Sequence, residues 1–199
     1  SPTTTTVSLI DDPSVTADSG TLNGQEMVGK DLSRVQKFLD LVRERAGSTS
    51  FAEVTSTNEI PTGAGLASSA SGFGALALAA AKAYGLDYTP EKLSALARRG
   101  SGSACRSIFG GLVEWLPGDD DASSHAVALP DSGLDLSLVV AVLAPGRKKI
   151  DSRAAMRRTV ETSPFFPAWV EQVPCDIEDM KAAIAAADFT AVGELAEAN

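Results

Sequence analysis

Residues 60–85 read IPTGAGLASSASGFGALALAAAKAYG. The front of this stretch is a loop of Pro61, Gly63 and Gly65. From Leu66 to Tyr84 nearly every residue is small or apolar, with no charge before Lys82. A helix with so little polar surface belongs inside a protein, so the pattern predicts a helix buried on nearly all sides. Gly85 is a natural stop. A helix that starts on such a loop offers unbonded N–H groups and the positive end of its dipole, which together suit an anion. Gly63 and Gly65 let the backbone come close to a ligand, and Ser68 and Ser69 add hydroxyl donors. No Gly-Lys-Ser/Thr ends the loop, so it is not a Walker motif. The same residues also fit a tight strand-to-helix turn with serine caps.

Working outward, AEVTSTNEI (52–60) alternates like a strand and leads into the loop. TTTTVSLI (3–10) is β-branched and predicts another strand, DDPS a turn, and VTADSGTLNGQEM further strand with a hairpin turn at Asn23-Gly24. In residues 31–47, Leu32, Val35, Phe38, Leu39 and Val42 fall on one helical face, which Gly47 can end. Thr89-Pro90-Glu91 reads as N-cap, N1 and N2 of a helix through Arg99, stopped by Gly100. IFGGLVEWLP (108–117) predicts a strand and GDDDASS (118–124) a solvated loop. LDLSLVVAVLA (134–144) predicts a long strand opening a second domain. SRAAMRRTVETS, SPFFPAWVEQV, DIEDMKAAIAAAD and FTAVGELAEA are helical in pattern. Strands first and mixed helices later give an α+β layered fold.

The chain has 199 residues, 44% of them apolar, and a formal net charge of −9. That acidity argues against a general nucleic-acid or anionic-membrane binder, while leaving room for a local basic pocket. Two cysteines, Cys105 and Cys175, make no disulfide framework, so a reduced cytoplasmic setting is expected. No secretory leader is visible at the start. The longest apolar run, 138–144, is too short to span a bilayer. The single histidine, His125, sits in a polar stretch and reads as a loop residue rather than a base.

A second run, GSGSACRSIFGG (100–111), packs three serines, one arginine and four glycines into twelve residues. Arg106 can give a carboxylate two parallel N–H donors. Ser101, Gly102 and Ser103 offer hydroxyls and closely approached backbone N–H groups. A glycine-rich turn with an incidental arginine fits the same letters. Cys105 reads as a packing residue.

The string Pro61-x-x-x-Gly65-Leu66-Ala67-Ser68-Ser69-Ala70 resembles the nucleotide-binding motif of the GHMP kinase superfamily. RRGSGSACRSIFGG narrows the resemblance to its diphosphomevalonate decarboxylase branch. KKIDSRAAMRRTVETSPFF (148–166), TTTTVSL and LNGQE resemble the same branch. The likeness covers nearly all of the chain.

The resemblance implies an α+β, two-domain GHMP kinase-like fold. Residues 1–130 would be an N-terminal α/β ATP- and substrate-binding domain. Residues 131–199 would be part of a ferredoxin-like C-terminal domain, with the site between the two. It implies an ATP-dependent decarboxylation of mevalonate 5-diphosphate to isopentenyl diphosphate, with ATP and Mg²⁺ as cofactors and a homodimer as the assembly. For the nucleotide it implies Gly63, Gly65, Leu66, Ala67, Ser68 and Ser69, with Ser69 also approaching the metal. For the substrate it implies Arg34, Ser101, Gly102, Ser103, Ala104, Cys105, Arg106, Ser152, Arg153 and Met156, with Arg106 and Ser103 catalytic. Arg147, Lys148 and Lys149 read mostly as a solvated face.

A lysine- and tyrosine-bearing segment of the family is expected before Ser1, and its aspartate base after Asn199. Asp176, Asp179 and Asp188 do not match that aspartate's motif. The 199 residues alone are therefore expected to lack decarboxylase activity. Alternatives are a mevalonate 3-kinase, a phosphomevalonate decarboxylase, or a non-catalytic domain of the same fold.

Overall fold

A computed structural model of the chain describes residues 3–59, 68–139 and 152–199. The chain divides into two compact units, Ser1–Leu129 and Pro130–Asn199. The mixture of sheet and helix is the expected α+β class.

The first unit is built on a four-stranded sheet in the order β1-β4-β2-β3. Strand β1 (Thr3–Leu9) runs antiparallel to β4 (Ala52–Asn58), and β2 (Ser19–Leu22) runs parallel to β4. Asn23-Gly24 turns β2 into the short β3 (Gln25–Glu26), both residues at positive φ as a tight hairpin of this hand requires. The alternation in β4 is realised as read: Ala52, Val54, Ser56 and Asn58 are buried, and Glu53, Thr55 and Thr57 face out.

Helix α1 (Gly29–Ala46) begins two residues before the expected start. It buries Val35, Phe38, Leu39 and Val42, and ends on Gly47 in the left-handed region. Helix α2 (Ser68–Ala83) packs beside it, with Phe38 meeting Phe73 edge-on at a centroid distance of 5.5 Å. Burial of α2 is one-sided rather than all-round. Phe73, Leu76, Ala77, Ala80 and Ala81 enter the core, whereas Leu78 is exposed beside Lys82. Alanines are small enough to sit on either side, so composition did not reveal the open flank.

A buried ion pair ties these layers together. Asp18, next to β2, accepts from Arg43 Nη1 at 2.7 Å and Nη2 at 2.9 Å, and from the Ala52 backbone N–H at 2.8 Å. Arg43 also donates to Tyr84, whose hydroxyl donates to Ser50 O at 2.8 Å. Hydrogen bonding to Asp18, opposed by burial and reinforced by Asp40 and Tyr84, holds the Arg43 pKa well above its ordinary value. Burial pushes the Tyr84 hydroxyl up as well.

Helix α3 (Pro90–Gly100) starts as expected, with Thr89 accepting from Lys92 N–H. It runs into a 3-10 segment, Gly102–Ile108. The strand expected over 108–117 shrinks to β5 (Val113–Trp115), which pairs with β6 (Ala126–Ala128). The 3-10 turns occupy residues up to Ile108, and the Gly110-Gly111 pair, with Gly111 at φ 73°, delays the extended backbone. The loop 118–124 is less solvated than its charges suggested. Asp121 binds Arg98, and Arg45 and Arg99 at 3.0 Å each, and Ser124 is buried.

In the second unit all regular structure among the described residues is helical: α4 (Ser152–Thr162), α5 (Phe166–Ala185) and α6 (Phe189–Ala198). The two segments read as separate helices on either side of Pro174 form one helix, α5, which contains that proline. Pro174 has no N–H to donate and its ring crowds the preceding turn, so α5 carries it at a local cost in stability. Residues 134–139 carry no strand. Leu138 and Val139 stand 92% and 95% exposed, and no ladder partner for them occurs among the described residues. Alternating apolar residues make a strand only when another strand takes up their backbone groups. The remainder of that expected strand, 140–144, lies outside the described residues.

Candidate functional site

The two donor-rich stretches meet. Ser68 and Ser69 form the first turn of α2, where backbone N–H groups have no intrahelical acceptor. Ser101 follows the last residue of α3. Ser69 Oγ and Ser101 Oγ share a hydrogen bond at 3.4 Å. Gly63, Gly65, Leu66 and Ala67 lie outside the described residues, as do Arg147, Lys148 and Lys149.

Arg34, on α1, reaches the same place. Its Nη2 donates to Gly100 O at 3.4 Å, and its guanidinium sits 4.9 Å from the centre of the Phe73 ring. Gly100 is where α3 and that ring touch: a Cβ there would lie 2.0 Å from Phe73 Cδ1, so no other residue fits without rearrangement. An arginine at the C-terminal end of α3 is also placed to meet the negative end of that helix.

Along the 3-10 segment the side chains divide. Ala104 and Cys105 are fully buried, and Ala104 belongs to the hydrophobic core. Their side chains face inward, so no ligand contact is left to them except through backbone. Ala104 N–H is already spent on Ser101 O at 2.8 Å. Burial raises the Cys105 thiol pKa, against the opposing influence of Arg106, which fits packing rather than nucleophilic chemistry. Gly102 and Ser103 are half-buried and Arg106 is exposed. The segment is pinned from behind by Ser94, a buried residue of α3. Its hydroxyl donates to Cys105 O at 2.9 Å and accepts from Ala126 N–H at 2.8 Å.

Ser152, Arg153 and Met156 occupy the first turns of α4 in the second unit, all exposed. Asp188 caps α6 by accepting from Ala191 N–H at 3.0 Å. Asp176 is bonded to Gln172 and Asn199 at 2.8 Å each. Both carboxylates serve the helices that carry them. The His125 ring is within hydrogen-bond distance of the Ala122 carbonyl, through Nδ1 at 3.3 Å.

Sequence reading missed Phe73, Ser94 and Trp115. Phe73 and Ser94 were folded into helical patterns, and Trp115 into a strand. The one available signal was the position of aromatics beside glycine-rich runs, where a ring can cover bare backbone.

A family model described as the diphosphomevalonate decarboxylase-like N-terminal domain matches residues 1–126. A second, the mevalonate 5-diphosphate decarboxylase C-terminal domain, matches residues 138–199. The chain belongs to the diphosphomevalonate decarboxylase-like family. A diphosphomevalonate decarboxylase from Ganoderma lucidum is 37% identical over 201 residues, covering 92% of this chain and 50% of that protein. The crystal structure of mevalonate diphosphate decarboxylase from Staphylococcus aureus superposes with a TM-score of 0.86 at 40% identity, over 96% of this chain and 58% of that one. MDDEF in complex with MVAPP, AMPPCP and magnesium gives a TM-score of 0.86 at 43% identity, over 98% and 60%. The chain matches between 36% and 51% of the length of its curated relatives. Among the described residues no helix is long and apolar enough to cross a membrane, and no cluster of three or more His, Cys, Asp or Glu side chains is placed to hold a metal.

Proposed function

We propose that this chain serves an ATP-dependent decarboxylation of mevalonate 5-diphosphate to isopentenyl diphosphate, releasing ADP, phosphate and CO₂. The observation that carries the reading is the contact between Ser69 and Ser101, which joins a helix-start donor set to the arginine-bearing run. Family membership and a relative bound to MVAPP, AMPPCP and magnesium support it.

The donor chemistry fits a nucleotide with its magnesium. Ser68 and Ser69 supply hydroxyls at a helix N-terminus, the surroundings that favour phosphate oxygens. Ser69 is assigned to the metal and phosphates, with Gly63, Gly65, Leu66 and Ala67 on the phosphate side by resemblance. When bound, the magnesium neutralises phosphate charge during transfer to the tertiary hydroxyl.

Arg106 takes the substrate carboxylate in a two-pronged grip. Ser101, Ser103 and the Gly102 backbone add donors, and Arg34 adds a second cation. As CO₂ departs the carboxylate loses its charge. Arg106 therefore orients the group, because stabilising the carboxylate alone would slow the step. Ser152, Arg153 and Met156 are assigned to the substrate on resemblance, with Arg153 pairing the diphosphate. The cytoplasm as its compartment and a homodimer as its assembly complete the proposal.

Titration calorimetry tests it. Mg-ATP and mevalonate 5-diphosphate should each bind the chain. Arg106→Ala should weaken the acid by at least about tenfold while leaving Mg-ATP alone. Absence of binding by both ligands refutes the reading. Any turnover is identified by its product: CO₂ formed with ADP supports decarboxylation, and a stable phosphorylated acid moves the assignment to a 3-kinase.

A further inference from the structure

Arg106 differs from the other arginines around it. Arg43, Arg45, Arg98 and Arg99 bind carboxylates, and Arg34 donates to a carbonyl. Among the described residues the Arg106 guanidinium has neither hydrogen bond nor ion pair. Its recorded contact is with a ring, the guanidinium carbon lying 5.8 Å from the centroid of Trp115.

That ring is itself fixed. Trp115 lies in β5, paired with Ala126. Its Nε1 donates to Ser124 Oγ at 3.2 Å, and Ser124 is buried with its carbonyl accepting from Arg98 Nε at 3.0 Å. The far edge of the ring lies over the backbone of the same run: a Cβ on Gly102 would sit 3.2 Å from Trp115 Cη2. One indole therefore spans the stretch from Gly102 to Arg106.

We infer that Trp115 is a positioning residue for Arg106. Its π-face holds the guanidinium at a set place without using any of its five N–H donors. An ion pair would also fix the arginine, but it would spend the donors and cancel the charge that a carboxylate ligand needs. A ring attracts the cation through its quadrupole and leaves the edge of the guanidinium plane open for a two-pronged bond. The inference rests on the reading that Arg106 receives the substrate carboxylate, and it deepens that reading.

Two substitutions separate the ring from the bulk it fills. Trp115→Leu removes the π-face, and Trp115→Phe keeps a smaller one. For mevalonate 5-diphosphate, Trp115→Leu should weaken binding roughly tenfold and Trp115→Phe by no more than about threefold, with Mg-ATP affinity unchanged in both. In an Arg106→Ala background, Trp115→Leu should change the acid's affinity no further. An equal loss in both backgrounds, or an equal loss from Phe and Leu, overturns the inference. A readout without any ligand separates this from failure of the functional reading: the ¹⁵N order parameter of Arg106 Nε–Hε in the free protein. It should fall in Trp115→Leu and stay high in Trp115→Phe, whether or not the acid binds. An unchanged value in Trp115→Leu sinks the platform. Should Trp115→Leu fail to fold, Trp115→Met removes the π-face while keeping a longer apolar chain and should lower the same order parameter; no change there also overturns it.

Discussion

Ser69 and Ser101 are 32 positions apart in sequence and 3.4 Å apart at their hydroxyls. One opens α2 and the other follows α3. A ligand held by the first is thus within reach of donors in the run that follows the second. Ser69→Ala should weaken Mg-ATP about tenfold or more, the size of a lost hydrogen bond to a charged group. Ser101→Ala should act mainly on the acid. Calorimetry with each ligand checks both, and equal effects of the two variants on both ligands would contradict the division of labour.

Removing Asp18 tests the buried ion pair. Arg43 would be left charged and half-satisfied inside the first unit, so Asp18→Ala should cost about 3–5 kcal/mol. Urea unfolding of the variant against the native chain measures it. A loss below about 1 kcal/mol would mean that water reaches Arg43 when its partner is gone.

The Asp121 cluster predicts a pH dependence. Burial alone would raise this carboxyl's pKa, but the hydrogen bond from Arg99 and the charges of Arg99, Arg98 and Arg45 outweigh it, leaving it below 3.8. A depressed carboxylate stabilises the fold above its unfolded pKa, near 4, and that stabilisation disappears as pH falls through the lower folded value. Its side chain is 40% exposed, so the contribution is about 1 kcal/mol or less. The Tm of Asp121→Asn should be lower than native at pH 6, and the difference should shrink as the pH is taken down below about 4.

Gly100→Ala brings a methyl group into the Phe73 ring. The expected cost is about 1–3 kcal/mol, with Arg34 displaced from the same ring. Adding Phe73→Leu should restore part of the stability by making space. If the double variant is no better than Gly100→Ala, the clash is not with Phe73.

The two thiols should react very differently. Cys175 is exposed; Cys105 is buried, with its pKa raised by that burial. A thiol reagent at neutral pH should modify Cys175 quickly and Cys105 only on unfolding, which a timed count of modified thiols would show.

Local rules made the first unit legible. The apolar face of α1 with Gly47 behind it, the alternation in β4 and the Thr89-Pro90 start of α3 each follow from backbone and burial requirements that neighbouring residues satisfy. The differences arose where a distant partner decides. Leu134–Val139 alternates, yet among the described residues nothing pairs with it. Asp121 reads as solvated until three arginines from α1 and α3 close on it. Within the candidate site, Ser69 and Arg106 were readable as donors, and Arg34 only through the resemblance. The rings of Phe73 and Trp115 were not, because a stacking contact leaves no spacing in a sequence.

The hydroxyl of Ser94 joins three separated stretches: its own helix, the Cys105 carbonyl and the Ala126 amide. Drift in the β5–β6 hairpin would therefore reach the arginine-bearing turn through this oxygen as well as through the Trp115 ring. A substitution that alters ligand binding at Arg106 need not touch any ligand. The setting of that arginine can be tuned from its rear wall.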